Sequence, residues 1–198
     1  MQTIDIGSVL NRAFELYKQN LTTLMIATFL AGVIAAVSVF ILAGPMSAGL
    51  VLVTLALLDK KQPTPAIGDI FKGFEYFVPT LIFFILMFVV MFVGHFILAF
   101  IPILGRLLGL ALNFGVPTFV MFTVFNIVDR KMEISAAIQA SVDVVKANFW
   151  IFLGLYIVAS VISALGVIAC VVGVVVTAPM MVCMLAVAYR DLYPASAS

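Results

Sequence analysis

The chain holds 198 residues, 65% hydrophobic and 10% charged, with a mean hydropathy of +1.31 and a formal net charge of +1. Soluble domains sit near about 45–50% apolar and about 25% charged, and a small soluble domain cannot hide this much apolar surface from water. An ordinary soluble fold is excluded, and the near-neutral balance offers no clustered basic surface for nucleic acid.

From the N-terminus, Ile6, Val9/Leu10, Ala13 and Leu16/Tyr17 recur at helical spacing, with Asn11, Arg12, Glu15 and Lys18 between them. This predicts an amphipathic helix. Asp5, Arg12, Glu15 and Lys18 stand where a cleavable leader would carry a short basic stretch, so the first apolar segment is expected to persist as a helix. Leu21–Leu58 then runs for 38 residues. A spanning helix needs roughly 20, so two spans are expected, with the turn at Gly44-Pro45. Ala27-Ala31-Ala35 and Gly32-Ala36 form small-residue stripes suited to close packing.

A charged stretch, Asp59–Phe74, leads to a second periodic pattern: Ile67, Ile70/Phe71, Phe74 and Phe77 beside Asp69, Lys72 and Glu75. The block Phe77–Val128, 52 residues, again fits two spans, with the turn expected at Gly105-Arg106. Phe84, Phe88, Phe92, Phe96 and Phe100 make an i+4 ridge, read as packing or lipid contact. His95 is the single histidine. An intramembrane ionisable group is a functional candidate, but no span offers a carboxylate for a relay, so an interhelical hydrogen bond is the expected role. Asn113 continues the stripe Gly105-Gly109-Asn113. It flanks the same hairpin as His95, and the two are expected to face one another as glue between helices.

The third pattern is Ile134, Ala137/Ile138, Val142 and Val145 beside Gln139, Asp143 and Lys146, with Ser135 or Glu133 as N-cap. The block Phe149–Tyr189, 41 residues, turns somewhere in 166–173 and opens with Trp150 and Tyr156 as interfacial aromatics. Ala159-Ser163 and Ser160-Ala164 repeat the small-residue stripe. Cys170 and Cys183 read as small hydrophobes, without a disulfide or a metal-binding CxxC. Pro45, Pro117 and Pro179 kink or terminate helices, and the tail after Tyr193 carries no lipidation signature.

The expected fold class is therefore all-α: a polytopic membrane bundle of six transmembrane helices. The whole chain, 1–198, reads as a single membrane domain of three parallel hairpin repeats, 4–58, 66–130 and 132–192, each opened by an amphipathic interfacial helix. Aligning Ile6–Thr22 with Ile134–Trp150 pairs Glu15 with Asp143, Lys18 with Lys146 and Asn20 with Asn148. Nine of the ten Lys/Arg lie in the termini and inter-block segments, and only Arg106 lies on the other side. Basic loops stay cytoplasmic, so both termini are expected inside.

No nucleotide, metal or hydrolase motif stands out. Lys18, Lys72 and Lys146 sit at headgroup level and are candidate lipid-headgroup contacts. His95 and Asn113 form the candidate intramembrane polar pair. No catalytic residue, metal ligand or cofactor site is assigned. Membrane lipids are the expected partners, with a membrane-protein partner or a second copy beside them. The leading expectation is a non-enzymatic protein organising lipid or a partner complex. The alternative is a small-solute transporter with a cavity between the repeats.

At Pro45-x-x-x-Gly49-Leu50, the Asp69–Phe74 run and the closing Tyr189-Arg-Asp-Leu192, the sequence resembles bacterial inner-membrane families. These are the YciC-like group and the membrane domain attached to some glycerophosphodiester phosphodiesterases. The resemblance implies a six-span helical fold in a bacterial inner membrane and no assigned activity. The phosphodiesterase motifs are missing here, so no residue inherits that chemistry. The Pro-x-acid-x-x-base signature of mitochondrial carriers is missing as well.

Overall fold

The computed structural model describes residues 4–168 and 170–195, with no strand among them. Helix α1 is Ile6–Gln19; the Asp5 carboxylate caps it by accepting from the Gly7 and Ser8 amides at 3.3 and 2.9 Å. Asn20 stops it, with its amide on Leu16 and Tyr17 and its side chain donating to the Leu16 carbonyl at 3.0 Å. The chain then bends by 90° into α2, Leu21–Val37. Helix α3 is Ala43–Leu58, a 3-10 helix follows at Ile67–Tyr76, and α4 (Phe77–Ala99) turns back as α5 (Pro102–Val120) and α6 (Thr123–Asp129). Helices α7 (Ile134–Ala147), α8 (Phe149–Ile168) and α9 (Cys170–Leu192) complete the chain.

Four stretches are long and apolar enough to cross a membrane: Ile67–Ala99, Ile103–Asp129, Phe149–Gly166 and Val175–Leu192. The bent pair α1–α2 makes a fifth candidate, while α3 is a shorter apolar helix of 16 residues. At 1.5 Å per residue α3 covers about 24 Å, less than a hydrocarbon core of about 30 Å.

Two turns fall earlier than expected, and proline explains both. The first occupies residues 38–42, where the Ser38 hydroxyl donates to Ala35 O at 3.0 Å and accepts from Leu42 N at 3.1 Å. Gly44 and Pro45 then lie in the first turn of α3, where a missing N–H costs nothing. The second turn is at Phe100–Ile101, with Pro102 opening α5 and Gly105 inside that helix. His95 is therefore only five residues from the turn, about 7.5 Å along the axis rather than twice that. The third turn does fall in the 166–173 stretch, between α8 and α9. The Cys170 side chain lies outside the described residues, and Cys183 is a buried free thiol.

The second amphipathic segment is a 3-10 helix rather than an α-helix. Three residues per turn stack Phe71, Phe74 and Phe77, with centroids 6.3 and 6.5 Å apart. One turn on from Gly73, Tyr76 donates its hydroxyl to Val128 O of α6 at 3.2 Å, and the same period lines up Ile70 and Gly73 against α3. That approach is so close that a Cβ on Gly49 would overlap the Ile70 carbonyl, and one on Gly73 would overlap Pro45 O and the Gly49 backbone.

Each amphipathic helix packs on the second helix of the preceding hairpin. The 3-10 helix lies on α3, and α7 lies on α5–α6. Pro117 disturbs that helix, which breaks at Met121–Phe122. Ser141 of α7 fills the break, donating to Phe119 O at 2.8 Å and accepting from Phe122 N at 3.2 Å. Helix α1 lies on α9, where Tyr17 donates to Val176 O at 2.8 Å, in the turn before Pro179. The order is cyclic. Tyr17, Ile70 and Val145, members of the apolar patterns of the three amphipathic segments, are accordingly buried in protein, while Phe71 and Phe74 remain outward. Glu133 takes the N-cap position of α7 without a side-chain hydrogen bond.

Candidate functional site

The C-terminal ends of α3, α6 and α9 converge on one guanidinium. Arg190 grips Asp59 through Nε and Nη2 at 2.9 and 2.8 Å. It grips Asp129 through Nη1 and Nη2 at 2.7 and 2.9 Å. The side chains of Arg190, Asp59 and Asp129 are 11%, 9% and 22% exposed. Two bidentate forks on one arginine fix three helix ends at once, because the planar donor set matches carboxylates in geometry as well as charge. With the carboxylates occupied and arginine unable to release a proton, the hub works as a lock and offers no acid–base chemistry. The neighbouring exit residues are engaged too: Asp191 pairs with Arg12, and Arg130 stacks over the Tyr193 ring at 4.5 Å.

Lys60 is the exception. It follows the Asp59 cap in a left-handed conformation, φ 52°, where glycine is usual. Its amide and that of Lys61 bond back to Leu57 O and Ala56 O, completing the helix stop. Neither lysine has an ion-pair partner among the described residues. Both line a cleft of about 800 Å3 between α1 and the exit of α3. Its far wall carries Asn11, Arg12, Glu15, Gln19 and Asn20, and its floor Leu16, Ala56, Leu57 and Leu58.

The expected polar pair does meet. Asn113 Nδ2 lies 3.3 Å from His95 Nε2, and His95 Nδ1 lies 2.8 Å from Met91 O. With the proton on Nδ1 the imidazole donates to Met91 and accepts from Asn113, tying α4 to α5. Both residues face an open groove with Gly105, Arg106 and Gly109 on the hairpin's outer part. Replacing Asn113 with leucine is expected to cost about 0.6 kcal/mol, as interhelical hydrogen bonds in bilayers do. Thermal unfolding in detergent measures it, and a double-mutant cycle with His95→Phe should recover that coupling. Phe88, Phe92, Phe96 and Phe100 project outward along α4, with successive centroids 5.9, 6.4 and 5.3 Å apart.

The three candidate headgroup lysines lie apart, one on each amphipathic helix. Lys18 sits over the Phe14 ring at 5.5 Å and Lys72 pairs with Asp69 at 2.8 Å. Lys146 is exposed in the last turn of α7. The hub and the Lys60–Lys61 cleft are what sequence reasoning missed. A signal was present: the exits read Asp59-Lys60 and Asp129-Arg130, then reverse to Arg190-Asp191. Among the described residues no group of three or more His, Cys, Asp or Glu is placed to hold a metal.

Fold and site together define an all-α protein with, among the described residues, four or five helices long and apolar enough to cross a membrane, locked at one end by a buried arginine–carboxylate hub. Comparison with protein-family models, curated proteins and solved structures returns no match.

Proposed function

We propose that this is a non-enzymatic membrane protein that organises lipid or a partner membrane complex, built as six spans in three hairpin units. The observation that carries the reading is the packed centre. Met46, Phe122, Phe152, Met184 and Tyr189, from second helices of all three units and from α8, are each under 2% exposed. A transporter needs a solvated route there, and aromatic and thioether side chains fill that volume instead. The repeat reading is supported by the cyclic packing of interfacial helices on preceding exits. Asn20 and Asn148 support it too, since both occupy the one-residue break between an amphipathic helix and a span. On this reading α2 and α3 are short spans, accommodated by local thinning of the bilayer.

The basic split and the resemblance to YciC-like proteins favour a bacterial inner membrane with both termini cytoplasmic. Cysteines introduced at positions 60 and 131, in a chain lacking Cys170 and Cys183, should label only from the cytoplasm; periplasmic labelling would refute the orientation. Native mass spectrometry of gently extracted protein should show bound phospholipid or a protein partner. Saturable solute uptake by proteoliposomes containing this chain alone would overturn the reading in favour of transport.

A further inference from the structure

The cleft of unit 1 differs from its counterparts in the other two units. At the repeat-related place in unit 3, the elbow residue Asn148 and the exit residue Leu192 flank a cleft of about 220 Å3. That cleft has no charged side chain: Leu16 is replaced by Val144, Gln19 by Ala147, and no lysine follows the exit. At the exit of unit 2, Lys131, also left-handed at φ 51°, shares with Glu133 and Ser135 a cleft whose other lining residues are apolar. Of these three clefts, that of unit 1 has the greatest volume and the only excess of cations. Arg12 is already neutralised by Asp191, so Lys60 and Lys61 supply that excess against Glu15. Hairpin geometry alone therefore does not produce this site.

A non-glycine residue in the left-handed region carries a cost of order 1 kcal/mol or more; lysine at position 60 bears it at the helix stop, where it lines the cleft. The polar wall offers amide donors from Asn11, Gln19 and Asn20. Leu16, Leu57 and Leu58 add apolar surface to the same cleft. Ammonium and amide groups beside apolar side chains in one cleft match an amphiphile whose anionic head is a phosphate ester.

Building on the lipid-organising reading, we propose that this cleft binds the phosphodiester headgroup of an anionic phospholipid. Lys60 and Lys61 hold the phosphate, the α1 amides donate to its oxygens and Glu15 accepts from headgroup hydroxyls. The test is native mass spectrometry of the full chain released from nanodiscs of phosphatidylglycerol mixed with phosphatidylcholine. One tightly held phosphatidylglycerol per chain is expected. Lys60→Gln with Lys61→Gln should reduce its retention on the order of thirty-fold, because each lysine at headgroup level is worth about a factor of five toward anionic lipid. Lys60→Arg with Lys61→Arg should retain it, and Lys72→Gln with Lys146→Gln should leave it unchanged. Equal loss in the two glutamine pairs would mean diffuse surface attraction and overturn the site, while lipid organisation by the protein would stand. Full retention in Lys60→Gln/Lys61→Gln would overturn it likewise. Displacement of the lipid by millimolar inorganic phosphate would assign the cleft to a soluble phosphate and overturn the lipid assignment. A chain that holds no lipid in any form would remove the lipid-organising reading as well.

Discussion

Replacing Arg190 with methionine is expected to destabilise the protein by about 3 kcal/mol, at the low end of what breaking a buried pair costs because Asp129 is partly open to solvent. The substitution leaves Asp59 and Asp129 without the guanidinium that bridges them, and Lys61, which also acts on Asp129, is too far to form an ion pair with either. Most of the loss is repulsion and desolvation of the orphaned carboxylates, so it should be reversible. The triple variant Arg190→Met, Asp59→Asn, Asp129→Asn should recover most of the stability. Arg190→Lys should fall between, since one ammonium cannot serve two forks. Arg12→Ala provides the contrast: its pair with Asp191 is 49% and 26% exposed, and surface pairs are worth about 1 kcal/mol or less. Thermal unfolding in detergent, read by fluorescence-detected gel filtration, gives these differences directly. Strict additivity across Arg190, Asp59 and Asp129 would show that the hub is not a coupled unit.

The sequence revealed what depends on local pattern and concealed what depends on long-range meeting. Amphipathic periodicity placed α1 and α7 to within a residue or two, because apolar spacing acts over single turns. The hub joins residues 131 and 61 positions apart, and no periodicity encodes that approach. Turn positions are less legible: Gly44-Pro45 and Gly105 have the composition of helix breakers, yet proline opens α5 and lies in the first turn of α3. The 3-10 geometry at Ile67–Tyr76 was hidden for a different reason. An i, i+3, i+4 pattern suits either helix, and the choice follows from tertiary contact at Gly49 and Gly73. His95 and Asn113 were legible as a pair, since a short hairpin forces residues flanking one turn to face each other.

Alanine at Gly49 should cost at least about 3 kcal/mol, the upper part of the range for overpacking a tight interface. The added methyl group would meet the Ile70 backbone, which has no rotamer through which to yield. Gly73→Ala should behave alike, because its methyl would meet Pro45 O and the Gly49 backbone. The two glycines share one contact, so Gly49→Ala/Gly73→Ala should cost clearly less than the sum, the first methyl having already parted the helices. Gly32 is the control: nothing lies within 4 Å of its Cβ direction, and alanine there should gain up to about 1 kcal/mol of helix propensity. The damage should also travel along α3. That helix ends in Asp59 of the hub and leads into Lys60 of the cleft, so moving it away from the 3-10 helix displaces both from their partners. Gly49→Ala should therefore lower lipid retention together with thermal stability, whereas Lys60→Gln/Lys61→Gln should lower retention alone. If Gly49→Ala proved as stable as Gly32→Ala, the close approach of α3 to the 3-10 helix would be wrong, and with it the positioning of the α3 exit.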